Sequence, residues 1–168
     1  MSEQAIPSRS GAILVVGGGI SGITAAVEAA EVGHDVYLVE QGPSLGGRVA
    51  QMNKYFPKLC PPACGLEINY QRIRKSPGIR VFTMAEVESV SGSTGAFDVT
   101  LKIKPRYINE KCTACGECEK ACQAERADDF NFGMNKTKAV YLPHDMAFPV
   151  RYALDKEAAE LMGIDTEK

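Results

Sequence analysis

Apolar residues near the start of the chain change their spacing twice within thirty residues. The runs AILVV at residues 12–16 and DVYLV at residues 35–39 are short and nearly continuous, as in buried strands. Gly33 separates the second run from what precedes it, which fits the end of a helix. The positions between recur every three or four residues, as on one face of a helix: Ile20, Ile23, Ala26, Val27 and Ala30. The pattern predicts a strand, a turn, a helix and a second strand.

The middle of the chain has a different pattern. The runs IRVFT, EVESV and FDVTLKI, the last two separated by the turn sequence SGSTG, predict a strand followed by a hairpin within residues 79–104. Residues 41–78 are rich in Gly and Pro, so there we expect only a short helix from about Ile68 to Lys75. After Pro149 we expect one more short helix, from about Lys156 to Met162.

Composition excludes several classes of function. The 168 residues are 45% hydrophobic and 24% charged, with a net charge of −2 and no basic block. These values argue against binding to nucleic acid or to an anionic membrane surface. No apolar run approaches the roughly 20 residues that cross a bilayer. Residues 1–10 lack the features of a secretory signal, so we expect them to form a short disordered lead-in to a cytoplasmic protein. In the cytoplasm, clustered cysteines more often bind metal than form disulfides.

The turn after the first strand contains the pattern G-x-G-x-x-G within GGGISG at residues 17–22. In this pattern Gly17 permits the tight turn, Gly19 lets a diphosphate approach the backbone, and Gly22 lets the helix pack close to the strand. The free N–H groups of the helix N-terminus then attract the anion. A strand–helix unit that uses its glycines only for packing is the alternative.

Glu40 strengthens the nucleotide interpretation. It ends the second strand, 18 residues after Gly22, where a carboxylate can accept hydrogen bonds from the ribose hydroxyls of an adenosine. A carboxylate at that place also disfavours the 2′-phosphate of NADP. The pattern alone leaves FAD and NAD both open.

Four cysteines, Cys112, Cys115, Cys118 and Cys122, have the C-x₂-C-x₂-C-x₃-C spacing of bacterial ferredoxins. The spacing predicts a [4Fe-4S] cluster, with zinc as the alternative. Gln123 stands where such runs usually have Pro. In two-cluster ferredoxins the fourth cysteine ligates the other cluster, and this chain has no second run. Either Cys122 closes the cluster, or a remote cysteine does.

Other candidate residues carry weaker signals. Cys60 and Cys64 lie in a Pro-rich segment, and they can be buried apolar side chains, metal ligands or redox-active thiols. His34 follows a glycine at a helix end, and we expect it to be solvated. His144 has no visible partner for acid–base chemistry. No hydrolase motif is present.

Several sequence features occur in an order that resembles the A subunit of heterodisulfide reductase and the related A subunit of the quinone-interacting membrane-bound oxidoreductase. After the glycine turn and Glu40, these are QGPSLGGR, YFPKLCPPACG, KPRYI and the cysteine run. The resemblance covers nearly all of residues 11–153. Three residues separate Cys60 from Cys64, where many heterodisulfide reductase A chains have two.

The resemblance implies FAD rather than NAD, because QGPSLGGR is similar to the second glycine pair that flavoproteins of the glutathione-reductase type place beside the FAD diphosphate. It also implies that residues 85–87 lie against the adenine, with Val87 contributing backbone hydrogen bonds. The implied cofactor-binding residues are Gly17, Gly18, Gly19, Ser21, Gly22, Glu40, Gln41, Gly46, Gly47, Arg48 and Val87.

The predicted fold class is α/β, a Rossmann-like FAD-binding βαβ unit with a β-hairpin and a ferredoxin-like iron–sulfur insertion. We expect residues 11–104 to form the FAD-binding portion, residues 105–150 the [4Fe-4S] segment, and residues 151–168 a C-terminal helix or tail. We interpret the chain as a fragment of a longer family member, with a naturally short subunit as the alternative, and we expect it on its own to bind the adenosine half of FAD better than the flavin ring.

The implied function is electron transfer by an oxidoreductase in which no side chain acts as a general base. Electrons would pass between FAD and a [4Fe-4S] cluster, with other redox subunits of a heterodisulfide reductase-like or quinone-interacting complex as partners and the membrane reached only through them. Two alternatives stay open. One is an NAD(P)H-dependent thiol or disulfide reductase that uses Cys60 and Cys64, and the other is a zinc-binding scaffold.

Overall fold

A computed structural model of the chain describes residues 11–57 and 59–161. The predicted lead-in at residues 1–10 lies outside these ranges, as does Met162 at the end of the predicted last helix. The strands are β1 (Ile13–Val16), β2 (Val36–Glu40), β3 (Ile79–Thr83), β4 (Ala85–Ser93), β5 (Ala96–Ile103), β6 (Glu125–Ala127), β7 (Lys136–Lys138), β8 (Val140–Tyr141) and β9 (Ala153–Leu154). The helices are α1 (Ile20–Glu31), α2 (Ala63–Lys75), α3 (Glu117–Ala121) and α4 (Lys156–Leu161), with a 3₁₀ turn at Arg48–Gln51.

Strands β1, β2 and β3 form a parallel sheet with β2 in the centre. Val36 of β2 lies opposite Ile13 of β1 and opposite Ile79 of β3, which fixes the register of both pairs. Helix α1 connects the first two strands and packs on the sheet, as the change of period predicts. The predicted α/β, Rossmann-like fold class is confirmed.

The core lies between this sheet and helices α1 and α2. Helix α2 ends at Lys75 as predicted, but it begins at Ala63, five residues before the predicted start at Ile68. Pro61 and Pro62 suit the entry to a helix because the missing N–H of proline costs nothing in the first turn. The buried residues of this cluster are Ile23, Ala26, Val27, Val36, Leu38, Leu45, Leu66, Tyr70 and Ile73.

The predicted hairpin is present as β4 and β5, and its base is attached to the loop after β2. Met84 N–H donates to the carbonyl of Gly42 at 2.9 Å, and Lys104 N–H donates to the carbonyl of Met84 at 2.7 Å. Ala85, at the start of β4, is buried, whereas the far end of the hairpin is exposed. The hairpin is thus fixed where it leaves the parallel sheet.

The cysteine run belongs to a segment of small elements with little apolar volume. The hairpin of β6 and β7 follows α3, and β8 and β9 pair as a separate antiparallel two-stranded sheet. Tyr152 is the one large side chain among those that the structure shows as buried in this segment, and the others are alanines: Ala124, Ala139, Ala147, Ala153 and Ala159. None of the helices in the described part of the chain has the length and apolar character needed to cross a bilayer.

Tyr70 combines a buried ring with a buried hydrogen bond, and removal of its hydroxyl tests the contribution of that bond to the core. Its hydroxyl donates to the carbonyl of Leu45 at 2.9 Å, its ring stacks on Phe148 with centroids 5.1 Å apart, and burial raises its pKa to about 12. We expect Tyr70→Phe to lower the free energy of unfolding by about 1 kcal/mol, because one buried hydrogen bond is lost. Urea denaturation measures this change.

Tyr107→Phe is the matched control, since Tyr107 is 46% exposed. We expect it to change the free energy of unfolding by less than about 0.5 kcal/mol. An equal effect of the two substitutions would contradict the role assigned to the hydroxyl of Tyr70.

Candidate functional site

The glycine turn leaves the N-terminus of α1 open. Gly17 has a φ of +105°, and a Cβ on Gly22 would lie 1.8 Å from the carbonyl oxygen of Gly17, so both positions require glycine. Gly19 precedes α1 without a side-chain cap, and the first turn of α1 has no acidic residue. A Cβ on Gly19 would meet no atom of residues 11–57 or 59–161 within 4 Å. Free N–H groups therefore face an approachable space, which suits an anion.

A second glycine turn packs against the first. Gly46 N–H donates to the carbonyl of Gly18 at 2.7 Å, and a Cβ on Gly47 would lie 3.3 Å from the Cα of Gly19. Gly46 and Gly47 both have positive φ, at 106° and 57°. Two segments separated by more than twenty residues thus form one surface of backbone atoms at the start of α1.

Glu40 stabilises the loops around this surface. One carboxylate oxygen accepts from Gly18 N–H and the other from Gly42 N–H, each at 2.6 Å. A carboxylate has about four acceptor sites, so acceptor capacity remains for ribose hydroxyls. The sequence predicted only the nucleotide contact, and the structure adds this contact with the backbone.

The remaining predicted cofactor residues have less specific surroundings. Ser21 and Gln41 are exposed, and Val87 is half-buried near the base of the hairpin. The Arg48 guanidinium lies over the rings of Phe130 and Phe132, at 4.6 and 4.7 Å from their centroids, and donates to the carbonyl of Phe130 at 2.8 Å. Arg48 thus joins the loop of Gly47 to the segment after the cysteine run, and its contact with a cofactor stays a prediction.

A cavity of about 750 Å³ adjoins the glycine surface. Glu40 and Gly47 line one side, Pro62 lines another, and Arg126 and Tyr141 from the segment after the cysteine run complete the wall. Its volume falls within the range of about 300–1,000 Å³ that is usual for ligand sites. Sequence reasoning missed this last wall, because no motif marks it.

His144 also lines this cavity, and the structure gives it hydrogen-bonding partners that were not visible in the sequence. Its Nε2 lies 3.1 Å from Ser44 Oγ and 3.1 Å from the carbonyl of Leu45, and burial lowers its pKa. Its Nδ1 is buried and has no hydrogen-bond partner among the residues that the structure describes. Ser44 Oγ also accepts from Phe148 N–H at 2.8 Å. The partners of His144 lie about 100 residues away in sequence, where spacing gives no signal.

The cysteine run forms a turn around Gly116, which has a φ of +82° just before α3. Partial burial raises the pKa of the Cys118 thiol, and the charges of Cys112 and Cys115 act in the same direction. The Cys122 thiol contacts the carbonyl of Ala124 at 3.6 Å. Within residues 11–57 and 59–161, no three His, Cys, Asp or Glu side chains already converge as a metal site. The ligand set stays a prediction.

Cys60 and Cys64 have Tyr55 as a common neighbour. Charge on Cys60 and a hydrogen bond with it raise the pKa of Tyr55, and Cys64 contributes in the same direction. Cys60 is half-buried, whereas Cys64 is exposed in the first turn of α2. Residues 61–63, between the two cysteines, line the cavity. Cys64 is therefore not a buried core residue.

Comparison with known proteins shows which proteins this chain is related to. Residues 12–60 match the family of FAD dependent oxidoreductases. The iron-sulfur A subunit of CoB–CoM heterodisulfide reductase from Methanocaldococcus jannaschii is 41% identical over 148 residues, which are 86% of this chain and 22% of that protein. This chain is a homologue of the heterodisulfide reductase A subunits. The resemblance stated from the sequence is confirmed, and the match of residues 12–60 supports the predicted FAD.

Other heterodisulfide reductase A subunits match a similar share of this chain. The A subunit of the H(2):CoB-CoM heterodisulfide,ferredoxin reductase of Methanothermobacter marburgensis is 42% identical over 86% of this chain and 22% of its own length. An iron-sulfur A subunit of CoB–CoM heterodisulfide reductase from Methanopyrus kandleri is 44% identical over 81% of this chain and 21% of its own. The chain spans about a fifth of the length of the curated relatives it matches.

Gly19→Ala tests whether the open space at Gly19 receives a cofactor. Gly19 has a φ of −73°, so alanine fits, and we expect a loss of about 1 kcal/mol or less in the free energy of unfolding. The added methyl group occupies the space through which the diphosphate would approach the backbone. We therefore expect the Kd for FAD to rise by about tenfold or more, which corresponds to a loss of about 1.4 kcal/mol in the free energy of binding. Equilibrium dialysis measures the Kd.

Gly65→Ala is the control, because Gly65 lies within α2 and its Cβ would also meet nothing within 4 Å. We expect an unchanged Kd for FAD. A Gly19→Ala variant that binds FAD as tightly as the native chain would show that the cofactor lies elsewhere.

His144 predicts a pH dependence of stability. Its pKa in the folded chain is lowered from the ordinary 6.5, so the unfolded chain binds more protons below that pH. The contribution of His144 is present above pH 6.5 and is lost as the pH falls through its lower folded value. We expect the free energy of unfolding to decrease more steeply with acidification in the native chain than in His144→Asn.

His34→Asn provides the comparison, since His34 is exposed. We expect it to keep the native steepness in urea denaturation between pH 7.5 and pH 5, a range of roughly one unit or more on either side of an ordinary histidine pKa. Parallel curves for the native chain and His144→Asn would exclude the proposed contribution.

Proposed function

We propose that this chain is the part of a heterodisulfide reductase A-type protein that transfers electrons between FAD and a [4Fe-4S] cluster. The observation that carries the proposal is the single backbone surface made by the two glycine turns at the open start of α1. The FAD-dependent oxidoreductase family match covers both turns.

The residues of this surface fit the FAD diphosphate and its adenosine. The free N–H groups at the start of α1 donate to the phosphates, and Gly19 admits them because nothing occupies the position of its Cβ. Glu40 accepts from the ribose hydroxyls with its remaining acceptor sites. The adjoining cavity of about 750 Å³ gives room for the rest of the molecule. When bound, FAD supplies two-electron chemistry that can be divided into single-electron steps.

The donor chemistry of the cysteine run fits an iron–sulfur cluster. Four thiols lie within eleven residues, and Cys115 and Cys118 are exposed, so their side chains can turn toward a common centre. Iron–sulfur clusters are held by four cysteine thiolates and carry single electrons. Cys112, Cys115, Cys118 and Cys122 are the proposed ligands, and the thiols lose their protons when they bind. Relatives are named as iron-sulfur subunits, which supports this assignment.

The protein side chains in this proposal bind and orient, and none acts as a general base. Substrate chemistry belongs to partner subunits, as expected for one component of a larger redox complex. Relatives are named for heterodisulfide and ferredoxin reduction, which supports other redox subunits as partners. We propose a cytoplasmic location, with any membrane contact made through those partners.

A role of Cys60 and Cys64 as redox thiols is the second candidate. Residues 61–63, which separate the two cysteines in sequence, line the cavity, so both cysteines flank a segment of its wall. In this alternative the two thiols would exchange electrons with the flavin. The same purified protein can distinguish the two candidates.

Anaerobic purification with analysis of flavin, iron and acid-labile sulfide tests the proposed function. We expect flavin absorption together with a broad sulfur-to-iron absorption that dithionite bleaches. Cys115→Ser is expected to lose iron and sulfide, because one of the proposed ligands is removed. Cys64→Ser is the matched control and is expected to keep both.

Two results would contradict the proposal. Zinc without iron or sulfide would support a zinc scaffold instead. Loss of iron from Cys64→Ser with full retention in Cys115→Ser would show that the ligand set is wrong.

Rapid alkylation of both Cys60 and Cys64 with the cluster intact would favour the thiol alternative.

A further inference from the structure

Arg106 connects three parts of the structure that the proposed function leaves separate. Its guanidinium donates to the carbonyl of Pro43 in the loop after β2 and to Thr83 Oγ1 at the end of β3, the latter at 2.9 Å. Its other terminal nitrogen lies 3.2 Å from the carbonyl of Arg151 and 3.5 Å from that of Tyr152. One side chain thus ties the nucleotide-binding unit to the end of the cysteine segment.

The hydrogen bonds of Arg106 constrain the structure more than an exposed ion pair would. Arg106 is half-buried, and burial lowers its pKa, yet an arginine stays protonated in proteins. A charge in such surroundings is stable only where hydrogen bonds compensate its lost hydration. Backbone carbonyls from both units provide that compensation, so a shift of one unit against the other would remove acceptors from a half-buried cation.

One side of this connection reaches the cysteine run. Tyr152 is 5% exposed, and its hydroxyl donates to a carboxylate oxygen of Glu119 in α3 at 2.7 Å. A Cβ on Gly116 would lie 3.6 Å from the same hydroxyl. Glu119 is the neighbour of Cys118 in sequence. The position of Tyr152 therefore depends on the turn that carries the thiols.

The other side reaches the glycine surface. Pro43 precedes Ser44 and Leu45, and Leu45 N–H donates to the carbonyl of Phe148 at 3.0 Å. The next residue, Gly46, donates to Gly18 in the first glycine turn. A displacement of Pro43 would therefore be transmitted within three residues to the backbone that receives the diphosphate.

We propose that Arg106 is a positioning residue that couples occupancy of the FAD site to occupancy of the cysteine run. A cluster bound by the thiols fixes the turn at Gly116, which holds Tyr152 and Arg106 and so pre-organises the loop that begins at Pro43. FAD then binds more tightly, because less ordering is needed on binding. By linkage, FAD raises the affinity for the cluster by the same factor. This inference rests on the proposed function.

The test is the Kd for FAD, measured by anaerobic equilibrium dialysis on the full chain before and after reconstitution with iron and sulfide. We expect cluster loading to lower the Kd by about tenfold, within the range of about 5–150-fold usual for coupled sites. In Arg106→Gln we expect cluster loading to change the Kd by less than about twofold. Arg106→Lys, which keeps the charge but loses the forked geometry, should restore part of the coupling.

Arg72→Gln is the matched control. Arg72 joins α2 to Glu28 and Glu31 of α1 by ion pairs at 2.9 and 2.7 Å, so its loss affects helix packing without touching either proposed site. We expect the full coupling in this variant. Where Arg106→Gln does not fold, as judged by circular dichroism, Tyr152→Phe replaces it, because this change removes only the hydrogen bond to Glu119. It too is expected to lose the coupling.

The outcomes separate this inference from the proposed function. One outcome is that the native chain binds both FAD and the cluster while its Kd for FAD is the same before and after cluster loading. That result overturns the coupling and leaves the proposed function intact. Full coupling in both Arg106→Gln and Tyr152→Phe overturns the role of Arg106. A native chain that takes up neither FAD nor iron overturns the proposed function and this inference with it.

Discussion

The backbone of Leu45 and Gly46 is the point on which the candidate site depends. This loop is buried, so each of its polar groups needs a partner. Leu45 accepts from the hydroxyl of Tyr70 and donates to Phe148, and Gly46 donates to Gly18. Core helix, cysteine segment and glycine turn thus meet at two residues. The glycine surface exists because all three satisfy the same short stretch of backbone.

Local features of the sequence were sufficient for the first half of the fold. The strand–helix–strand unit follows from apolar spacing, and the glycines of the turn follow from needs that the structure shows directly, such as the 1.8 Å approach at Gly22. The hairpin at residues 79–104 was also predictable, because its turn and alternation are local. The start of α2 was not, since Pro and Gly in residues 61–65 indicate a loop until the entry of the helix is seen.

Long-range contacts were beyond sequence reasoning. His144 is about 100 residues from Ser44 and Leu45, and Arg106 is 63 residues from Pro43, so no period or motif relates them. The cavity shows the same limit, because its far wall comes from a segment with weak patterning. The cysteine spacing indicates a chemistry, but where those thiols lie relative to the glycine turns depends on Tyr152 and Arg106.

A crystal structure of the anaerobically reconstituted chain with FAD tests the central claim most directly. The account predicts the FAD diphosphate against the N–H groups at the start of α1, between Gly19 and Gly47, with the ribose at Glu40 and an iron–sulfur cluster on the 112–122 thiols. A diphosphate bound away from both glycine turns would contradict it, and so would iron bound elsewhere while those thiols stay unligated.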